Sequence, residues 1–311
     1  MHLYTSNSER PQTLKYIIGL LAALVAGQTI LQWGATWVMR KYGKNEIRWA
    51  EERQGANALK HDGKSVLLIG SSVLFGVDPV RLQKQMPEWT VRRTVMVGTF
   101  YTDWEYSLKR MFREGVQPDY VVLVPLPFQI FGDSFRGDYL PLHWVDRRDI
   151  LDLARKKNLD MTSTSNLLFA SYNSFFAFRD DVRNAFLGNL IPGHKVVAGG
   201  AVSMRVYKDG ETEQILADRL VALQLLVTGH GARLAVLRYP APDMEASLDM
   251  MKRIAEANRI PYFSALDAIP KAEFEDAYHL NPRGTEKFTD ALAPALKEEL
   301  TRLRAAPQGG H

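Results

Sequence analysis

Two short stretches of the chain hold the residue types that acyl-transfer chemistry requires. One is Gly70-Ser71-Ser72, which ends the apolar run Val66 to Ile69. The other is Asp276-Ala277-Tyr278-His279, about 200 residues later. A serine hydroxyl is a poor nucleophile at neutral pH. It needs a base within hydrogen-bond reach, and that base needs an orienting partner. Asp276 and His279 are three apart, so on a helical turn they share a side. The carboxylate then holds one imidazole nitrogen while the other faces the serine. Each motif alone is weak. Gly-Ser-Ser also ends strands that bind phosphate at helix N-termini, and Asp-x-x-His also serves as a helix cap.

These residues need elements to position them. An apolar run ending in glycine and serine reads as a buried strand, Ser65–Ile69. Further strands are expected at Thr90–Val97, ending at Gly98, and at Asp119–Val124, Arg233–Leu237 and Pro261–Ser264. Helices are expected from Pro79 to Gln85, Asp103 to Phe112, Glu213 to Thr228, Asp243 to Asn258 with Asp243 as N-cap, and Gly284 to Leu303. Strands alternating with helices argue for a parallel sheet covered on both faces, and such sheets place sites at the carboxyl ends of their strands. Residues 128–210 break the rhythm and are rich in aromatics, including Phe128, Phe135, Tyr139, Trp144, Phe169, Tyr172 and Phe176. Helical patterns run there from about Asp146 to Lys156 and from Ser165 to Phe186, followed by a glycine-rich loop, Gly188 to Gly200. This segment reads as a helical insertion that completes the core or shapes an acceptor site.

The strand ending in Gly-x-Ser, the glycine after the second strand and the Asp-x-x-His before a C-terminal helix together resemble the GDSL/SGNH hydrolase superfamily. The resemblance spans residues 64–130 and 230–304. It implies a flavodoxin-like α/β fold and a catalytic set of Ser72, Asp276 and His279. Ser71 stands where the family's Gly-Asp-Ser has Asp. The oxyanion hole then falls to the Ser72 and Gly98 N–H groups, and Asp103 fits the spacing of the Gly98 block. The chain departs from the family at its third block. The family's Gly-x-Asn-Asp is replaced by Pro125-Leu126-Pro127-Phe128-Gln129, which leaves Gln129 as a substitute donor. Asn281-Pro282-Arg283-Gly284 continues the last block as the family does.

The 311 residues carry no cysteine and a net charge of +4. Disulfides, thiolate nucleophiles and Cys-ligated metals are therefore ruled out. The mild basicity lacks the Lys/Arg clusters interleaved with aromatics that nucleic-acid binding needs. No metal-ligand spacing occurs and no cofactor is implied; His143, His194 and His230 read as structural or solvated. Tyr16 to Val38 is apolar and long enough to cross a bilayer, with Trp33 and Trp37 near its end. The expected organisation is a polar N-terminus (1–15), a transmembrane anchor (16–38), a juxtamembrane linker (39–63), the α/β domain (64–304) and a tail (305–311). Gln28 and Gln32 share one face of the anchor, suited to a helix contact or to interfacial water.

Anchored members of the superfamily resemble accessory proteins of exported-polymer acylation. That implies a single-pass protein of the cytoplasmic membrane with an extracytoplasmic domain. It also implies a membrane-bound O-acyltransferase as partner and a polysaccharide or cell-wall polymer as acceptor. The flanking charges run the other way. Arg10 and Lys15 precede the span, whereas Arg40, Lys41, Lys44, Arg48 and Arg53 follow it, and the Lys/Arg rule alone would keep the domain inside. Three functions stand: an acyltransferase, a carbohydrate or lipid esterase, and a non-catalytic scaffold.

Overall fold

The computed structural model describes residues 10–42, 52, 54–132, 140–179, 182–183, 187, 191 and 209–305. The chain opens with α1, Arg10–Tyr42. It then alternates through β1 (Ser65–Gly70), a 3-10 turn (Ser72–Gly76), α2 (Pro79–Gln85), β2 (Thr90–Val95), α3 (Tyr101–Arg113) and β3 (Tyr120–Val124). Short helices follow: α4 (Pro127–Phe131), α5 (Leu140–His143), α6 (Ile150–Lys156), α7 (Met161–Tyr172) and α8 (Ser174–Ala177). The alternation resumes with α9 (Asp209–Thr228), β4 (Arg233–Arg238), α10 (Glu245–Ala257), β5 (Tyr262–Ser264) and α11 (Pro282–Ala305).

The five strands are parallel in the order β2-β1-β3-β4-β5. This is the flavodoxin-like doubly wound order, and its switch point lies between β1 and β3. The strand period of two sends alternate residues of β1 to opposite layers. Leu67 and Ile69 join Val121, Leu123, Leu234 and Val236 beneath α3, α9 and α10. Val66 and Leu68 join Val122, Val124, Ala235 and Leu237 beneath α2 and α11, where Phe288, Leu292, Leu296 and Leu300 are fully buried. Both faces of β1 are thus dry, which is why its sequence is continuously apolar.

Several local expectations change. β2 ends at Val95, with pairing to β1 carried one residue further by the Met96 N–H to Gly70 O bond at 3.0 Å. Asp243 does not cap α10. It lies at φ 60° and its carboxylate pairs with Lys271 at 2.8 Å, while Met244 takes the N-cap position. The helical pattern expected from Ser165 to Phe186 starts earlier and breaks after Tyr172. There the Asn173 side chain accepts the Phe176 N–H and starts a new helix. The 188–200 loop (apart from Ile191), His194, Phe135, Tyr139, residues 43–51 and 53 of the linker, and residues 306–311 lie outside the described residues.

α1 is long and apolar enough to cross a membrane over Leu14–Gly34, 21 residues with mean hydropathy 1.8 and none of it buried. A core helix of this composition would bury its side chains against the domain.

Gly70 sits at the switch point, paired with Val124. A Cβ there would lie 2.6 Å from the Val124 carbonyl oxygen. The Gly70→Ala variant is therefore expected to lose about 1–3 kcal/mol of stability through forced separation of β1 and β3, read as a lowered urea midpoint with an unchanged slope.

Candidate active site

Ser72 begins the turn just beyond the carboxyl end of β1, where an open α/β sheet exposes its site. Its Oγ lies 2.8 Å from His279 Nε2, and His279 Nδ1 lies 2.7 Å from Asp276 Oδ2. The three expected residues are therefore hydrogen-bonded in series. They do so without a helical turn. Asp276 Oδ1 accepts the backbone N–H groups of Tyr278 (2.9 Å) and His279 (2.8 Å), folding the loop back on itself. Burial pushes the Asp276 carboxyl up, but the His279 ring and these two N–H groups outweigh it and bring it down to about 2. An ionised carboxylate accepts only. His279 Nδ1 must then be the donor, which leaves the Nε2 lone pair for the Ser72 hydroxyl.

The loop carrying His279 is tied at both ends. Phe274 pairs with Leu280 across it, and the Glu275 N–H donates to His279 O at 2.7 Å. Asn281 then starts α11. Its Oδ1 accepts the Gly284 N–H at 3.0 Å, and its amide donates to Ala272 O at 2.9 Å. The Asn281-Pro282-Arg283-Gly284 run is thus a helix start that fixes the histidine loop.

The Ser72 turn is held from below by a residue that the sequence does not single out. Arg93 of β2, 5% exposed, donates to the carbonyls of Leu74 (3.4 Å) and Val77. It also pairs with Glu52 at 3.0 Å, and the other Glu52 oxygen accepts the Val95 N–H at 2.8 Å. A carboxylate from the segment linking α1 to the domain therefore neutralises the cation that grips the Ser72 turn.

Gly98 follows β2 at φ 68°, a conformation that favours glycine. Among the described residues no acceptor takes the N–H of Gly98. Its loop is stiffened by Thr99, whose Oγ1 bonds to Met96 O at 2.5 Å and accepts the Trp104 indole N–H at 2.8 Å. Asp103 accepts the Phe100 N–H at 3.0 Å and pairs at 2.9 Å with Lys157, both side chains being almost wholly buried. Lys157 caps the C-terminal end of α6, so the insertion braces the loop that carries Gly98. Gln129 is 5% exposed and its Oε1 is spent on the Leu126 N–H at 2.9 Å. That bond fixes the amide at the carboxyl end of β3 and keeps Nε2 as its donor. Phe128 bridges the two halves, edge-on to Phe100 (6.2 Å) and to Tyr278 (6.3 Å).

Ser71 is buried and, among the described residues, its hydroxyl has no hydrogen-bond partner. His230 stacks on Phe112 at 4.4 Å, and His143 lies against Phe178 at 5.7 Å, both away from Ser72. A cleft of about 540 Å³ opens beside Ser72 and His279, with Phe75 and Leu280 among its walls and Asp78, Glu275 and Glu286 at its polar side.

No family model matches the chain, and no curated protein is similar to it. Similar solved structures include a member of the lipolytic protein G-D-S-L family from Veillonella parvula, at 10% identity and a TM-score of 0.37, covering 75% of this chain and 98% of that one. Another is an acetyl xylan esterase, Est2A, from the rumen bacterium Butyrivibrio proteoclasticus, at 12% identity and a TM-score of 0.37, covering 76% of this chain and 64% of that one. At this distance neither bears on substrate or activity.

Replacing Lys157 with Met strands the Asp103 carboxylate in the core. Breaking such a pair from one side costs about 3–5 kcal/mol. The variant is expected to unfold at correspondingly lower denaturant, and Lys157→Met combined with Asp103→Asn to recover part of that loss.

Proposed function

We propose that this chain is a membrane-anchored serine enzyme of the SGNH type that carries an acyl group, acetyl or similar, as an ester on Ser72. The acyl group then passes to a hydroxyl of an exported polysaccharide or wall polymer. The observation that carries the reading is the series Ser72 Oγ–His279 Nε2 and His279 Nδ1–Asp276, with the imidazole lone pair facing the hydroxyl.

In the first step His279 Nε2 takes the Ser72 proton as Oγ attacks the ester carbonyl. The oxyanion that forms is received by the N–H groups of Gly98 and Ser72, with the Gln129 amide as a third donor. Collapse expels the donor alcohol, which takes the proton back from His279. In the second step His279 deprotonates an acceptor hydroxyl, which attacks the acyl-Ser72 carbonyl and frees the serine. Water as acceptor makes the same site an esterase. Asp276 holds the histidine tautomer throughout and stabilises the imidazolium.

Three carboxylates at the cleft favour an uncharged, hydroxyl-rich substrate over an anionic one. The exposed apolar α1 supports anchoring in the cytoplasmic membrane, with a membrane-bound O-acyltransferase as the donor's source. Extracytoplasmic placement of the domain overrides the flanking Lys/Arg count, since a long following domain weakens that rule. A reporter fused after residue 311 that is active only in the cytoplasm overturns the placement.

A serine-directed fluorophosphonate is expected to label the wild type and not Ser72→Ala. Equal labelling overturns both enzyme readings and leaves a scaffold. Asp276→Asn is expected to cut the labelling rate by about 10⁴ at pH 7. The wild-type carboxylate, with its pKa lowered from 3.8 to about 2, contributes its stabilisation above pH 3.8 and loses it as pH falls through about 2. No activity limb between pH 4 and 9 should therefore belong to Asp276. An acceptor screen with acylated enzyme separates transfer from hydrolysis.

A further inference from the structure

Among the described residues, the insertion meets α1 near the end of its apolar span. Gln32 Nε2 donates to the Tyr172 carbonyl at 3.3 Å, and α1 packs against α8. Gln32 lies in the last turn of the apolar span Leu14–Gly34. The Gln28/Gln32 face therefore meets this chain's own insertion. It also sets the α7–α8 corner level with the end of the span.

That corner is built from half-exposed aromatics roofed by arginines. Phe169 is 63% exposed and Tyr172 64%. Phe169 packs on Phe176 at 5.8 Å. The Arg147 guanidinium lies 4.3 Å over the Tyr172 ring, and that of Arg179 lies 4.1 Å over Phe176. Exposed aromatic rings with arginines stacked on them are the side chains that settle at a headgroup boundary. Elsewhere in water, two such neighbouring rings would be an unexplained apolar exposure.

We infer that the α7–α8 corner, with Phe169 and Tyr172 foremost, seats the domain in the headgroup–acyl boundary of the bilayer that α1 crosses. This rests on the membrane-anchor reading. It also fixes which way the site faces. Arg147 donates to Ser171 O at 3.0 Å. Its neighbours Asp146 and Asp149 pair with Arg113, the last residue of α3. The first turn of α3 follows the Gly98 loop at the active end of the sheet, and its 13 residues span about 18 Å. The seat is thus at the far end of α3 from Gly98 and Ser72, so the site opens away from the bilayer.

The absence of native cysteine allows a direct test. The full chain is reconstituted in vesicles of phosphatidylcholine and phosphatidylglycerol, with one nitroxide-labelled cysteine at a time. Collision with oxygen is compared with collision with a water-soluble nickel chelate. Phe169→Cys and Tyr172→Cys are expected to favour oxygen, at a depth near the headgroups. Thr285→Cys at the cleft and Leu225→Cys on α9 are expected to favour nickel. Circular dichroism confirms that each variant is folded. If positions 169 and 172 behave like 225, or are shielded from both reagents by a second copy or a protein partner, the inference falls. Leu24→Cys, 61% exposed in mid-span, separates the two failures. If it fails to favour oxygen, the anchor reading falls and takes this one with it. If it favours oxygen while 169 and 172 do not, only the seat is wrong.

Discussion

The 2.8 Å hydrogen bond between Ser72 and His279 joins residues 207 positions apart, and the rest of the structure can be understood as what holds it. A contact of this kind tolerates little drift, since a displacement of about 1 Å can cost on the order of 10² in rate. Each partner is therefore fixed by its own set of bonds. Ser72 is fixed by the tight approach of β1 to β3 at Gly70 and by the Arg93 guanidinium beneath its turn. His279 is fixed by the carboxylate that folds its loop and by Asn281 at the start of α11. Leu280, next to the histidine, packs within the same layer as Val73, Leu74 and Phe288. The two halves of the site thus share one core.

Two buried ion pairs serve this end, and neither is a cheap way to gain stability. Removing two charges from water costs several kcal/mol per ion before they attract one another. Glu52–Arg93 and Asp103–Lys157 are better understood through what they tie together. The first couples the linker to the nucleophile's turn. The second couples the insertion to the Gly98 loop. Each spans parts of the chain that hydrophobic packing alone would leave free to slide, because a charged group that loses its partner in the core is penalised far more than a methyl group that shifts.

The juxtaposition of Ser72, His279 and Asp276 was legible in the sequence because the chemistry they could perform restricts both residue types and their place after a strand or before a helix. The parallel sheet was legible because β1 and β3 are apolar throughout. The route to the histidine geometry was not. Asp276 and His279 share a side through backbone hydrogen bonds to the carboxylate, which a three-residue spacing does not distinguish from a helical turn. Asp243 failed as a cap because Asp tolerates a left-handed conformation better than most residues, and its ion pair with Lys271 engages its carboxylate there. Arg93, Glu52 and Lys157 carry no local signature at all. Arg93 reaches Glu52 across 41 positions and Lys157 reaches Asp103 across 54, and the chain between shows only charged residues among many.

The absent third-block Asn is where the sequence departs from the SGNH pattern it resembles, and the structure shows what occupies that segment instead. Pro125 and Pro127 turn the chain sharply after β3, and Gln129 folds back to satisfy the Leu126 N–H. With its oxygen committed, the amide can rotate little, so its Nε2 is a donor held in one direction. A free side-chain amide would have to be ordered at each turnover. One held in this way has already lost that entropy on folding. The same helix that Gln129 sits on begins the insertion whose Lys157 braces Gly98. The segment between β3 and β4 therefore bears on the proposed oxyanion side of the site twice, once through Gln129 and once through the buried ion pair. Under the proposed mechanism, changes in the insertion are expected to act on how well charge is stabilised on the substrate, and much less on the serine–histidine contact itself.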